Sequence, residues 1–142
     1  ELCHLVCEDV GMTLGKAVGE YININSPSGY GFATGIIDEA CADAAISFED
    51  RSQLTFQKSI NYCENVEGMP SEELITFLEG FAQGARCTLF IDLKSGQNGH
   101  HIWEAVFRGV GIALGQALSF DSSREGLTSG VAGKVEYEVS AE

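Results

Sequence analysis

Tyr30-Gly-Phe-Ala-Thr-Gly-Ile-Ile37, Ala40-Cys-Ala-Asp-Ala-Ala-Ile-Ser-Phe-Glu49 and Gln53-Leu-Thr-Phe-Gln-Lys-Ser-Ile60 follow one another, separated only by Asp38-Glu39 and Asp50-Arg51-Ser52. The first segment is rich in glycine and β-branched residues. The third alternates, with Leu54, Phe56 and Lys58 opposite Thr55, Gln57 and Ser59. All three therefore read as extended, and the polar break at Asp50-Arg51-Ser52 suits a hairpin. A helix follows over Ser71–Ala82. Pro70 precedes it, Ser71 can cap it, and Glu72 and Glu73 favour its dipole in the first turn. Leu74, Phe77, Leu78 and Phe81 form its apolar stripe. Three strands and then a helix is the order of an α+β domain, with helices packed on one face of a mixed sheet.

Upstream, Val6, Val10, Leu14, Ala17, Val18 and Tyr21 or Ile22 recur at three and four. They predict a helix over residues 4–22 with one apolar stripe, ended by the turn cluster Asn23–Gly29. Downstream, Thr88–Leu93 reads as a strand, Lys94–Gly99 as a turn, residues 100–120 as a strongly apolar helix, and Lys134–Val139 as a closing strand. Val10-Gly-Met-Thr-Leu-Gly-Lys-Ala-Val18 is echoed by Val110-Gly-Ile-Ala-Leu-Gly-Gln-Ala-Leu118. The pairs His4/Glu8 and His100/Glu104 follow nearly the same offset. Two related helices, one in each half of a pseudo-repeat, account for this echo.

The chain has 142 residues, which suits a single domain over 1–142. Eight Lys and Arg against 21 Asp and Glu give a net charge of −13, which argues against nucleic acid and against an anionic membrane surface as partners. No apolar run approaches the length of a membrane helix, and no signal peptide is visible at the start. The five cysteines, Cys3, Cys7, Cys41, Cys63 and Cys87, lack a disulfide-scaffold spacing and read as reduced thiols of a cytoplasmic-type compartment.

His100-His101-Ile-Trp-Glu104 is the strongest chemical constellation. On a helix, Glu104 shares a face with His100 and can also converge with His101. Two imidazoles and a carboxylate on one turn suit a divalent first-row metal such as Mn, Fe or Zn, whereas a plain surface His-His pair with Glu104 near the dipole is the bland alternative. Cys3-His4-Leu-Val-Cys7-Glu8 repeats the i, i+4 arrangement twice, through His4/Glu8 and Cys3/Cys7. A thiolate-rich site would favour Zn or another soft metal, and two half-buried cysteines are the alternative. In so acidic a chain, Arg51 or Arg108 turned into a cleft would suit a phosphate or carboxylate, against the common case of a solvated arginine. No P-loop, nucleophile elbow or dinucleotide fingerprint is present.

His100-His-Ile-Trp-Glu-Ala-Val-Phe-Arg108 and Glu8-Asp-Val-Gly-Met-Thr-Leu-Gly-Lys-Ala17 resemble the two helix motifs of the imidazoleglycerol-phosphate dehydratase family. The segments between them fall in that family's order. The resemblance implies two pseudo-repeated halves, each a mixed four-stranded sheet with helices on one face. Residues 1–25 would be the end of the first repeat, with the rest of it absent from this chain, and 30–142 the second. It implies manganese, or another divalent metal, held by His4, Glu8, His100, His101 and Glu104, with Glu8 and Glu104 catalytic. Arg51 and Arg108 would meet the substrate phosphate. It implies a large symmetric homo-oligomer that removes water from imidazoleglycerol phosphate, a step of histidine biosynthesis. The sequence departs from the family pattern at Leu5, in place of a second imidazole, and at Phe90 and Asp92, where the family carries a histidine and an arginine. A catalytically degenerate relative acting in assembly or in metal or ligand binding is therefore the second reading.

Overall fold

The computed structural model describes residues 2–127. Its elements are α1 (Leu2–Asn25), β1 (Tyr30–Ile37), β2 (Ala40–Ser47), β3 (Gln53–Lys58), β4 (Asn65–Val66), β5 (Met69–Pro70), α2 (Ser71–Ala85), β6 (Thr88–Ser95) and α3 (Gly99–Ala117), with a short 3-10 turn at Ser122–Arg124. The strand expected over Lys134–Val139 lies outside the described residues. The α+β class is as expected.

Four strands form a mixed sheet in the order β1-β2-β6-β3. The first three neighbours are antiparallel, and β3 runs parallel to β6. The hairpin expected across Asp50-Arg51-Ser52 therefore does not form, because β6 inserts between β2 and β3. Burial explains the order. Leu89, Ile91 and Leu93 of β6 are wholly buried, which a central strand achieves, while Leu54 and Phe56 of β3 are only half-buried, as befits an edge. β3 reaches β6 through a crossover that carries α2, the connection a parallel pair needs.

One sheet face carries Ala33, Ala42, Ala44, Ile46, Leu89 and Ile91 and is covered by α2 and α3 through Leu78, Phe81, Ile102 and Val106. Small residues on β1 and β2 let α3 sit close. Gly31 and Gly35 lie directly under the backbone carbonyls of Ala113 and Ala105, where a β-carbon would have no room. The other sheet face carries Phe32, Ile36 and Phe90, which are exposed among the described residues.

α1 departs from its expected orientation. Val6, Val10 and Leu14 are each about half exposed, at 51%, 53% and 48%; the expected stripe reaches the core only at its end, through Val18 and Ile22, and further up the helix Gly11 and Gly15 are buried instead. The reason is a glycine seam. α1 and α2 run side by side in the same direction; Gly11 and Gly15 lie on the backbone of Phe77 and Phe81, and Gly80 and Gly84 lie on that of Glu8 and Met12. The close approach of two backbones gains dispersion contacts that an ordinary apolar stripe would block. The echo partners Gly111 and Gly115 on α3 face open space.

Ser71 does not cap α2 as expected. Pro70 occupies the cap position, without a side-chain hydrogen bond. Ser71 is buried, and its hydroxyl donates to the Cys63 carbonyl at 2.8 Å while accepting from Trp103 Nε1 at 2.9 Å. The core demands this pairing, because a buried indole N–H without an acceptor is costly.

Candidate metal centre

α3 starts where β6 ends, so its first turn stands at the end of the sheet that also holds the β1–β2 turn. Asn98 caps the helix, its side-chain oxygen accepting from the amides of His100 (2.9 Å) and His101 (3.4 Å). Both imidazoles are thereby fixed on the first turn, as the sequence suggested.

The β1–β2 turn brings the first carboxylates. Asp38 takes a left-handed backbone, φ 45°, which aspartate tolerates better than most residues. Glu39 follows and reaches α3. Its Oε1 accepts from the amides of Gln97 (3.1 Å) and Asn98 (2.9 Å), and its Oε2 lies 2.8 Å from His101 Nδ1. The backbone amide of Asn98 first, and then His101, hold the Glu39 carboxyl down at about 2. The same hydrogen bond, donated by His101 to Glu39, pushes the imidazole above its ordinary value, with Glu39, Asp38 and Glu104 adding their charges. Asp38 Oδ2 stands 3.7 Å from His101 Nε2. Asp38, Glu39 and His101 thus present donor atoms all within 4.8 Å of one another.

His100 has the same kind of surroundings from other elements. β4 and β5 are joined by Glu67-Gly68, both left-handed at φ 49° and 83°, the backbone of a type I′ hairpin turn. Glycine suits the second place because it meets no Cβ penalty there. The turn sets Glu67 Oε1 3.0 Å from His100 Nδ1, and Glu104 Oε2 lies 3.4 Å from His100 Nε2. Glu104 Oε1 also pairs with Arg108 at 2.6 Å, and Arg108 donates to the Ile36 carbonyl at 2.8 Å.

Each imidazole therefore has a carboxylate at Nδ1 and another near Nε2. A carboxylate only accepts, so the closer contacts, at 3.0 and 2.8 Å, make Nδ1 the donor, and Nε2, with its carboxylate at 3.4 or 3.7 Å, is the nitrogen more open to a ligand. This carboxylate–imidazole pairing is how metal-binding histidines are held in tautomer and direction. Four carboxylates around two imidazoles also favour a cation over a bare phosphate. The sequence expectation of one convergent turn needs correction in its geometry. His101 does not meet Glu104; it faces Asp38 and Glu39, and the two rings stand 74° apart with centroids separated by 6.2 Å. Asp38, Glu39 and Glu67 escaped the sequence reading. Their signals were present, as acids at hairpin turns, but their distance from the histidines in sequence hid them.

The remaining expected residues lie elsewhere. His4, on the first turn of α1, pairs with Glu73 of α2 at 3.3 Å. Glu8 is half-buried on the same helix, beside α2. Within one chain, neither joins the α3 cluster. Cys3, Cys7 and Glu73 form a second group, with one donor atom from each within 4.8 Å of the others. Burial, and then the neighbouring Cys3 and Glu73, push the Cys7 thiol up. Arg51 is exposed in the segment leading into β3, at the opposite end of the sheet from His101. Phe90 and Asp92 lie on the uncovered face of the sheet, where Asp92 stands opposite Asp43 in the register.

A family model described as imidazoleglycerol-phosphate dehydratase matches residues 2–114. The chain is 36% identical over 127 residues to the imidazoleglycerol-phosphate dehydratase of Nitratidesulfovibrio vulgaris, covering 89% of this chain and 64% of that protein's length. It is 36% identical over 134 residues to that of Pyrococcus furiosus, covering 92% of this chain and 72% of that protein. The crystal structure of imidazoleglycerol-phosphate dehydratase from Staphylococcus aureus matches with a TM-score of 0.77 at 33% identity, over 83% of this chain and 69% of that one.

Proposed function

This chain belongs to the imidazoleglycerol-phosphate dehydratase family, and we propose that it forms part of a metal-dependent hydro-lyase that removes water from imidazoleglycerol phosphate in histidine biosynthesis. The observation that carries this reading is the pair of carboxylate-held imidazoles at the start of α3. His100, His101 and Glu104 would hold manganese or another divalent first-row ion, with Asp38 beside His101 Nε2. When bound, such an ion would polarise the substrate's ring so that the neighbouring C–H gives up its proton more readily.

The chain's own groups do the positioning. Glu39 is tied to two backbone amides, so it cannot swing, and it keeps the His101 proton on Nδ1. Glu67 acts in the same way on His100. Glu104 lies between His100 and Arg108, where it can serve as a ligand or take up a proton. Arg108 has guanidinium N–H groups beyond the two it uses within the chain, available to an anionic substrate group. His4 and Glu8 sit on α1, away from α3, and Arg51 stands at the far end of the sheet. Their participation at the same substrate requires a neighbouring copy, which supports a homo-oligomer with shared sites. Its five cysteines are free thiols, which fits the cytoplasmic compartment we propose for it.

Phe90 and Asp92, where the family pattern carries a histidine and an arginine, favour a second reading, a relative that binds metal and assembles without turnover, since Asp92 would repel a phosphate. Metal content by mass spectrometry and turnover of imidazoleglycerol phosphate with added Mn2+ decide between them. The dehydratase reading expects bound metal that falls in His101→Ala, and product formation that a chelator abolishes. Metal bound without product in any condition selects the second reading. Unchanged metal content in His101→Ala removes the ligand assignment from both.

A further inference from the structure

We propose a thiolate metal site, separate from the cluster on α3, in which Cys3 and Cys7 of α1 and Glu73 of α2 hold a zinc ion that pins the two helices together. The helix period puts Cys3 and Cys7 one turn apart on one face. The glycine seam fixes the rest. Because Gly80 rests on the backbone of Glu8, the first turns of α1 and α2 lie side by side, and Glu73 is delivered to the cysteines from across the seam. One donor atom from each of the three residues lies within 4.8 Å of the others, the spread expected of ligands that share one ion.

A second observation points the same way. Glu73 Oε2 is shielded from solvent and makes no hydrogen bond among the described residues, although His4 Nδ1 lies 3.3 Å away as an ion-pair neighbour. A shielded carboxylate oxygen without a hydrogen bond is costly, and a cation at the cysteines lowers that cost. The donor chemistry selects the ion. Two thiolates with one carboxylate suit zinc and not manganese, which prefers oxygen and imidazole. Water completes four-coordination. On binding, each thiol gives its proton to solvent. The site does not depend on the dehydratase reading, since none of its three donors is among the residues assigned to the α3 cluster.

The test uses Co2+ as a spectroscopic stand-in for zinc, on the chain with its thiols reduced. One equivalent of Co2+ is expected to give a sulfur-to-cobalt charge-transfer band in the near ultraviolet, which nitrogen and oxygen ligands at the α3 cluster do not produce. One equivalent of Zn2+ is expected to shield Cys3 and Cys7 from iodoacetamide, read peptide by peptide. Cys3→Ser with Cys7→Ser should abolish the band and keep the helical circular dichroism, because these side chains are exposed or half-exposed. Glu73→Gln keeps both thiols and should weaken zinc binding by at least about ten-fold. No charge-transfer band in the wild type, or a band undiminished in the double-serine variant, overturns the proposal. Failure of His101→Ala to lose manganese would leave these results untouched.

Discussion

The glycine seam can be tested with a pair of substitutions related by the internal echo, Gly15→Ala on α1 and Gly115→Ala on α3. Both glycines sit inside helices, where alanine is the better helix former by about 1 kcal/mol. They differ in what a β-carbon meets. At Gly115 there is open space, so the helix gain is the whole effect. At Gly15 the β-carbon would run into the carbonyl of Phe81 and the amide of Ala85, both backbone groups that cannot rotate away. Overpacking of this kind costs roughly 1–3 kcal/mol, and a rigid neighbour places the site at the upper end. The net expectation is a stabilisation of about 0.5–1 kcal/mol for Gly115→Ala and a loss of about 1–2 kcal/mol for Gly15→Ala. For a chain of this size, each kcal/mol moves the midpoint by roughly 4 °C. Thermal unfolding followed by circular dichroism should therefore separate the two variants by roughly 6–12 °C, with opposite signs relative to the wild type. If both variants rise together, α1 does not dock on α2 through its glycines. If both fall together, the open space at Gly115 is filled and the contrast drawn from the structure is wrong.

Ser71→Ala should strand the Trp103 indole N–H and the Cys63 carbonyl in the core and lower stability by about 1–3 kcal/mol, read from the urea midpoint of the single tryptophan's fluorescence. His101, whose pKa is raised in the folded chain, contributes stability that is complete below its ordinary value and is lost as pH rises through the raised value; Glu39 contributes stability above its ordinary value that is lost as pH falls towards about 2. Glu39→Gln should flatten both slopes and return the His101 ring-proton titration, followed by NMR, to the ordinary histidine range; an unchanged titration would show that Glu39 does not set it. Burial pushes the Cys87 thiol up to about 12, so iodoacetamide should label exposed Cys3 in the folded chain and reach Cys87 only after denaturation, a difference that peptide mass mapping resolves.

Much of the fold was legible because apolar spacing carries it. β1, α2, β6 and α3 fall close to where their periodicity puts them, since each buries a recognisable apolar face. Two features were not. The stripe of Val6, Val10 and Leu14 points to an apolar docking face on α1, whereas a seam built from glycines leaves no trace in a hydrophobic pattern. The partner of β3 is not legible, because Asp50-Arg51-Ser52 carries only local turn chemistry, while the sheet order is set by how deeply Leu89, Ile91 and Leu93 are buried. In the site, His100, His101 and Glu104 were visible as a spacing on one helix. The acids that orient the imidazoles come from two turns and meet them only in three dimensions, so neither their presence nor the divergence of the two rings could be read from i, i+3 and i, i+4 rules.

Glu39 is a hinge-pin shared by three parts: it occupies the β1–β2 corner, steadies the loop ahead of α3, and grips one ring nitrogen. Strand pairing and ring aim are consequently a single mechanical setting. A residue added to that corner would change the fit of two strands and, in the same stroke, release the imidazole; such a corner tolerates a change of side chain far more easily than a change of length.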